Sequence, residues 1–249
     1  MIGGTVQSDG MRMLAGLLDL ALPAECAGCG AAGTGWCARC ASGLATEPVA
    51  VRPRVAPGAP VWSAGVFAGP RRGAVIALKE HGRRDAAAPL AAALARMIAV
   101  LRQAGELDPP ELAPLILVPA PSRASAARRR GGDPVARIAR LATRTPPSGP
   151  ASPGAPDRAV QALRLRAGAR DSVGLGAGER QRNLAGRVAL RRSAAARLEA
   201  VPVPGVVPRT PAVVFVDDVV TTGATAAESV RVLADAGVTV RAVLVLGHA

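Results

Sequence analysis

The 249-residue sequence predicts an α/β protein, a mostly parallel sheet flanked by helices, with a small four-cysteine module at its N-terminal end. Three observations carry this. Near the C-terminal end an uninterrupted apolar run, Ala212 to Val216, leads into two adjacent acids, a threonine-glycine loop and a helix, the order of a buried parallel strand and its crossover. All four cysteines fall between residues 26 and 40 as two Cys-x-x-Cys pairs. The length admits one substantial core and a small appendage, since domains run at roughly 100 to 200 residues.

The first element is the run Met11 to Leu22, apolar apart from Arg12 and Asp19. Asp19 interrupts it, and Pro23-Ala24-Glu25 suits neither a small-residue cleavage site nor a lipidated cysteine. Leu14, Leu17, Leu18 and Ala21 share one helical face, so a short docking helix of a cytoplasmic protein is expected. No stretch reaches the roughly 18 consecutive apolar residues of a membrane helix, so no membrane insertion is expected. Cys26, Cys29, Cys37 and Cys40 follow, with seven residues between the pairs. Each pair can wrap a tight turn, and together they can close a tetrahedral shell around one Zn²⁺. Two disulfides compete with this reading but lack a secretory context; a redox pair competes but lacks thioredoxin-like surroundings. Four thiolates leave no open position, so such a zinc folds the segment and performs no chemistry. A module this small needs the staple. Residues 1–47 are thus an N-terminal helix and zinc knuckle.

Residues 48–60, punctuated by Pro48, Pro53, Pro57, Gly58 and Pro60, read as a linker. The main domain occupies 61–249, with a flexible loop near 145–176. Val61 to Phe67 suggests a strand, Arg71 to Glu80 a helix, and Ala86 to Leu101 a second helix whose Leu90, Leu94, Met97, Ile98 and Leu101 form one stripe. Lys79, the only lysine beside thirty arginines, reads as a solvated surface group, with a phosphate ligand as the alternative. Leu115 to Val118 is a short strand stopped by Pro119-Ala120-Pro121-Ser122-Arg123, a polar loop at the strand end where open α/β sheets bind ligands. Arg128-Arg129-Arg130-Gly131-Gly132 precedes a helix from Pro134 to Ala142, a setting that suits anions. Thr145 to Pro156, rich in proline, serine and glycine, lacks periodicity, and the stretch through Gly176 is loop-like, as a lid or as disorder.

The acids at the end of the apolar run, Asp217 and Asp218, are expected at the rim of the sheet facing a ligand. Adjacent carboxylates repel and need partners, which points to sugar hydroxyls, a metal or both. Thr221, Thr222, Gly223, Ala224 and Thr225 supply hydroxyls, close backbone approach and a helix start, together an anion cradle. Thr225 and Glu228 are spaced as a capping box. Ala226, Val230 and Leu233 form the helix's inner face, Gly237 its C-terminal stop, and Val238 to Leu246 the next strand.

This segment resembles the phosphoribosyl-pyrophosphate signature of type I phosphoribosyltransferases. The resemblance implies that Asp217 and Asp218 hold the ribose hydroxyls, acting as the catalytic acids, and that Thr221 to Thr225 holds the 5′-phosphate. With the cysteine knuckle, Ala77-Leu78-Lys79-x-x-Gly82, Leu117-Val118-Pro119-Ala120-Pro121, Arg130-Gly131 and Glu179-Arg180-Gln181-Arg182-Asn183 in order, the chain is similar to the ComF family, which joins such a knuckle to a phosphoribosyltransferase-like domain. The resemblance makes Pro119 to Arg123 the pyrophosphate loop and implies Mg²⁺ with the ligand. Gly132, Asp133 and Pro134 stand where that family usually carries an aromatic residue, Asn and Gln, and Ser172 stands near the place of a usual glutamine. Purine-using relatives often place an acid three positions after the acidic pair; here that position is Thr221, which argues against hypoxanthine or guanine as acceptor.

Charge adds a second partner class. Between Arg52 and Arg209 there are 27 basic and 10 acidic residues, a balance of +17 within a formal +13 for the chain. Such a field attracts polyphosphates and nucleic acid alike. The only aromatics are Trp36, Trp62, Phe67 and Phe215, none of them between residues 68 and 214, which leaves most of the basic middle without the stacking platforms of single-strand binders and favours a solvated arginine-rich face. Three functional classes follow: a transferase of the phosphoribosyl group, a nucleotide sensor without turnover, and, from the ComF resemblance, a cytoplasmic accessory of natural competence and DNA uptake that handles single-stranded DNA with partner proteins.

Overall fold

The computed structural model describes residues 24–129, 131–144, 156–166, 186–198 and 210–249. The expected docking helix at 11–22, residues 145–155 and 167–176 of the expected loop, and the 179–183 run lie outside the described residues.

The apolar runs pair as parallel strands. Six strands form one sheet: β1 (Val49–Val51), β2 (Val61–Ser63), β3 (Leu115–Pro119), β4 (Arg158–Ala159), β7 (Ala212–Val220) and β8 (Val240–His248), in the order β1-β2-β8-β7-β3-β4. Only the β1–β2 pair is antiparallel. β5 (Leu163–Leu165) and β6 (Val188–Leu190) make a separate antiparallel pair. The central strands read as unbroken apolar runs because helices cover both faces, so neither side-chain phase meets water.

One phase (Leu115, Leu117, Val214, Val216, Leu244) packs under α2 (Gly69–Lys79), α3 (Ala87–Gln103) and α5 (Pro134–Ala142). The other (Ile116, Val118, Val213, Phe215, Val243, Val245) packs under α7 (Ala224–Asp235) and the β5–β6 pair. The predicted stripe of α3 is buried throughout, from Leu90 to Leu101. Three short helices complete the described set: α1 (Ala38–Leu44), α4 (Ala124–Arg129) and α6 (Ala195–Leu198). None of the described helices is long and apolar enough to cross a membrane.

Connectivity positions the site. β3 and β7 are neighbours, but the chain leaves β3 through α5 on one face toward β4, and leaves β7 through α7 on the other face toward β8. That reversal opens a crevice beyond the carboxyl ends of the two strands.

Several expectations change. The segment 48–60, read as a linker, carries β1, which extends the sheet edge by pairing Val49 with Ser63 and Val51 with Val61; its prolines flank the strand and lie outside the ladder. β2 stops at Ser63 instead of reaching Phe67. Gly65, at φ 136°, bends the chain, and Val66 rejoins His248 only as an isolated bridge. Within 145–176, read as flexible, residues 158–165 form β4 and β5, anchored by Val160, Ala162 and Leu163, each at most 2% exposed. The cysteine module is not a tethered bead. Ala27 and Leu44 join the core beside α2 and α3, and a Cβ at Gly73 of α2 would lie 2.2 Å from the Gly28 carbonyl oxygen.

Candidate functional site

The four thiols meet at the N-terminal module. Ligand atoms of Cys26, Cys29, Cys37 and Cys40 lie within 4.8 Å of one another, and no disulfide joins them. A tight turn brings the first pair round, with the Gly30 amide donating to the Cys26 carbonyl at 2.8 Å. Cys37 stands as the N-cap of α1, and Cys40 lies one turn inside it. Gly28 is required there, because a Cβ would fall 2.8 Å from Cys40 Sγ. Against the upward push of burial, amides of Cys37, Gly28 and Cys29 bring the Cys26 thiol down to about 6. Cys40 is pushed up, by burial first and then by its sulfur neighbours. Thiols held this close can all ionise only if a cation takes up the charge, so the cluster fits one metal ion.

The acidic pair lies inside β7, not at its end. β3 pairs with β7 only as far as Pro119 opposite Val216, whereas β8 runs on beside Asp217, Val219 and Val220. The acids therefore occupy the first positions at which the β3 side of β7 is open. Strand alternation sends them to opposite faces. Asp218, in phase with Val216, is 6% exposed and forms an ion pair with Lys79 at the C-terminal end of α2. Lys79 is thus drawn onto the acidic pair instead of standing in solvent as the sequence suggests. Asp217, on the α7 side, accepts the Asp218 amide at 2.8 Å, and Asp218 accepts that of Val219 at 2.8 Å. Desolvation, and then the Asp218 charge, raise the Asp217 carboxyl well above its usual range, with Lys79 acting in the opposite sense.

The loop after β7 curls into α7 through Gly223, the N-cap, at φ 86°. It is roofed from outside: the Val55 amide donates to the Thr222 carbonyl at 2.9 Å, and a Cβ at Gly223 would lie 2.3 Å from the Val55 carbonyl oxygen. Thr221 is exposed, Thr222 and Thr225 are half-buried, and Ala224 is buried. The expected Thr225–Glu228 capping box does not form. With Gly223 as N-cap, Thr225 is already inside the helix, and Glu228 accepts the Gly186 amide at 2.7 Å and pairs with Arg231 at 2.8 Å. Gly237, at φ 77°, stands just past the C-cap of α7, as expected.

The loop after β3 starts beside the acids, the Ala120 amide donating to the Val216 carbonyl at 2.7 Å. Pro119 and Ala120 are buried; Pro121, Ser122 and Arg123 are half-buried. Ser122 donates to Asp133 Oδ2 at 2.5 Å, while Asp133 Oδ1 accepts the Ala136 amide at 3.0 Å. The N-terminus of α5, expected to suit an external anion, is thus capped by the protein's own carboxylate.

Asp217, Asp218, Thr221 to Thr225 and Pro119 to Arg123 accordingly gather around the β3–β7 crevice, together with Lys79, while the cysteines form a separate centre behind α2. Sequence reasoning left out the Lys79–Asp218 contact and the roof at Pro53 to Val55. A single lysine in a chain that otherwise uses arginine was the available signal for the first; nothing local signals the second. No family model matches the chain, and no curated protein matches it.

Proposed function

We propose that this chain is a ComF-like protein with the type I phosphoribosyltransferase fold that binds phosphoribosyl pyrophosphate with Mg²⁺ in the β3–β7 crevice. The observation that carries the reading is the acidic pair at the open side of β7, between the loop of Pro119 to Arg123 and the loop of Thr221 to Thr225. Asp217 and Asp218 would hold the ribose hydroxyls, Thr221 to Thr225 the 5′-phosphate, and Pro119 to Arg123 the pyrophosphate. Lys79 lies against the buried Asp218 and offsets its charge, so the pair can face hydroxyls or a cation. Bound Mg²⁺ would supply charge compensation for the diphosphate. Transfer of the phosphoribosyl group to a nitrogen acceptor would then rest on positioning and electrostatics.

The cysteine cluster is assigned to structural Zn²⁺. A tetrahedral Zn²⁺–thiolate site with bonds of about 2.3 Å has sulfur–sulfur edges near 3.8 Å, and Cys29 Sγ to Cys37 Sγ is 3.8 Å.

Calorimetric titration with phosphoribosyl pyrophosphate and Mg²⁺ tests the main reading. Binding is expected for the native chain and its loss for Asp217→Ala/Asp218→Ala; no binding by the native chain would leave the fold without this ligand. Pyrophosphate release in an acceptor screen separates a transferase from a sensor. The +17 balance of the middle of the chain favours a second reading, a competence accessory in the cytoplasm that handles single-stranded DNA with partner proteins. On that reading the doubly substituted variant keeps its DNA affinity.

A further inference from the structure

Between α2, the 3₁₀ turn Arg84–Ala86 and α5 lies an open surface cleft, lined by Leu78, Arg84, Arg137, Arg140, Asp133 and the Gly131–Gly132 turn. Arg137 and Arg140 are spaced i, i+3 on α5, so their stems rise from one helix face. Arg84 comes from the opposite wall and lies directly over Gly131: a Cβ there would sit 1.8 Å from Arg84 Nη2. Gly131, at φ 65°, therefore both permits the turn and leaves room for the guanidinium. Among the described residues none of these three arginines has a carboxylate partner. Asp133 does not serve as one, because its two oxygens are taken by Ser122 and the Ala136 amide. Its charge still offsets one cation, which leaves two uncompensated.

We infer that this cleft is a second anion site, distinct from the acidic pair, that binds the linked phosphates of a small ligand through Arg84, Arg137 and Arg140. Guanidinium groups stay charged at all working pH values and match phosphate oxygens two at a time. Two uncompensated charges suit a diphosphate or triphosphate better than a single carboxylate. A strand of nucleic acid would need a continuous groove instead.

Titration of the full chain with inorganic tripolyphosphate at low salt tests the site. The native chain binds, Arg84→Ala/Arg137→Ala loses about tenfold for each guanidinium removed, and Asp217→Asn/Asp218→Asn binds as the native chain does. This last variant separates failure of the cleft from failure of the phosphoribosyl-pyrophosphate reading. Arg140→Ala, which removes an exposed side chain, shows a loss of its own and serves if the double arginine variant folds poorly. No binding by the native chain, or equal binding by the arginine variants, overturns the proposal. So does citrate binding as tightly as tripolyphosphate, which would mark general anion attraction, or a short oligothymidine binding through these arginines where tripolyphosphate does not.

Discussion

At the residue scale the most consequential group is Asp217. Desolvation, with the neighbouring Asp218 charge, makes the folded protein hold this proton more tightly than the unfolded chain does. Its raised value means that the stability it contributes is complete below the ordinary aspartate value of about 3.9 and is lost as pH rises through the raised one. A cation brought in with a ligand competes with the same proton. Mg²⁺-dependent affinity for phosphoribosyl pyrophosphate should therefore climb with pH and level only beyond the raised value, and Asp217→Asn should flatten the climb. Titrations across a pH series read this out; the same slope in both proteins would remove Asp217 from the account. The acids themselves were legible, since a strand-length apolar run ending in Asp-Asp and a glycine loop is a local pattern. The partner of Asp218 was not. That Lys79 closes the last turn of α2 follows from nearby residues, but which strand that turn meets depends on how far β7 outruns β3.

Among the elements, helices were easier to read than short strands. Pro134 to Ala142 and the stripe from Leu90 to Leu101 were bounded by periodicity and proline. β4 and β5 were missed because two or three residues cannot show alternation, and the arginines at 158 and 164 mask the apolar ones between them. The start of α7 was misplaced because Thr225 and Glu228 satisfy a capping pattern that the left-handed Gly223 pre-empts. Asp133, by contrast, caps α5 and holds Ser122 at the same time. Asp133→Ala should cost about 1 kcal/mol by urea denaturation and weaken pyrophosphate binding as the loop of Ser122 loses its tether. Asp133→Ser should restore much of the stability through its own cap but not the binding. If alanine and serine behave alike in both measurements, the cap and the tether are not shared by one carboxylate.

For the whole molecule, the four-cysteine cluster and the sheet belong to one packing unit. The Gly28–Gly73 contact leaves no gap between knuckle and α2. Arg71, 5% exposed, reaches from α2 to Thr46 Oγ1 at 2.9 Å and to the Ala64 carbonyl at 2.5 Å, and so ties the chain after the knuckle to the end of β2. Removing the metal with a chelator should therefore lower the melting temperature of the entire chain in a single transition, by about 2 to 4 °C for each kcal/mol lost. Two separate transitions, with the upper one unmoved, would show the knuckle melting by itself. The metal-binding spacing was plain in the sequence; its attachment was not, because glycines give no sign of what they lie against.

The roof over Gly223 reverses the usual relation between a sheet's edge and its drift. Outer strands generally accumulate insertions and substitutions because little depends on them. Here the segment at Pro53 to Val55, between the two outermost strands, sets the clearance of the loop at the centre. A length change in that peripheral hairpin would be inherited by the loop from Thr221 to Thr225, so the margin of the sheet should vary less among descendants of this sequence than its position suggests.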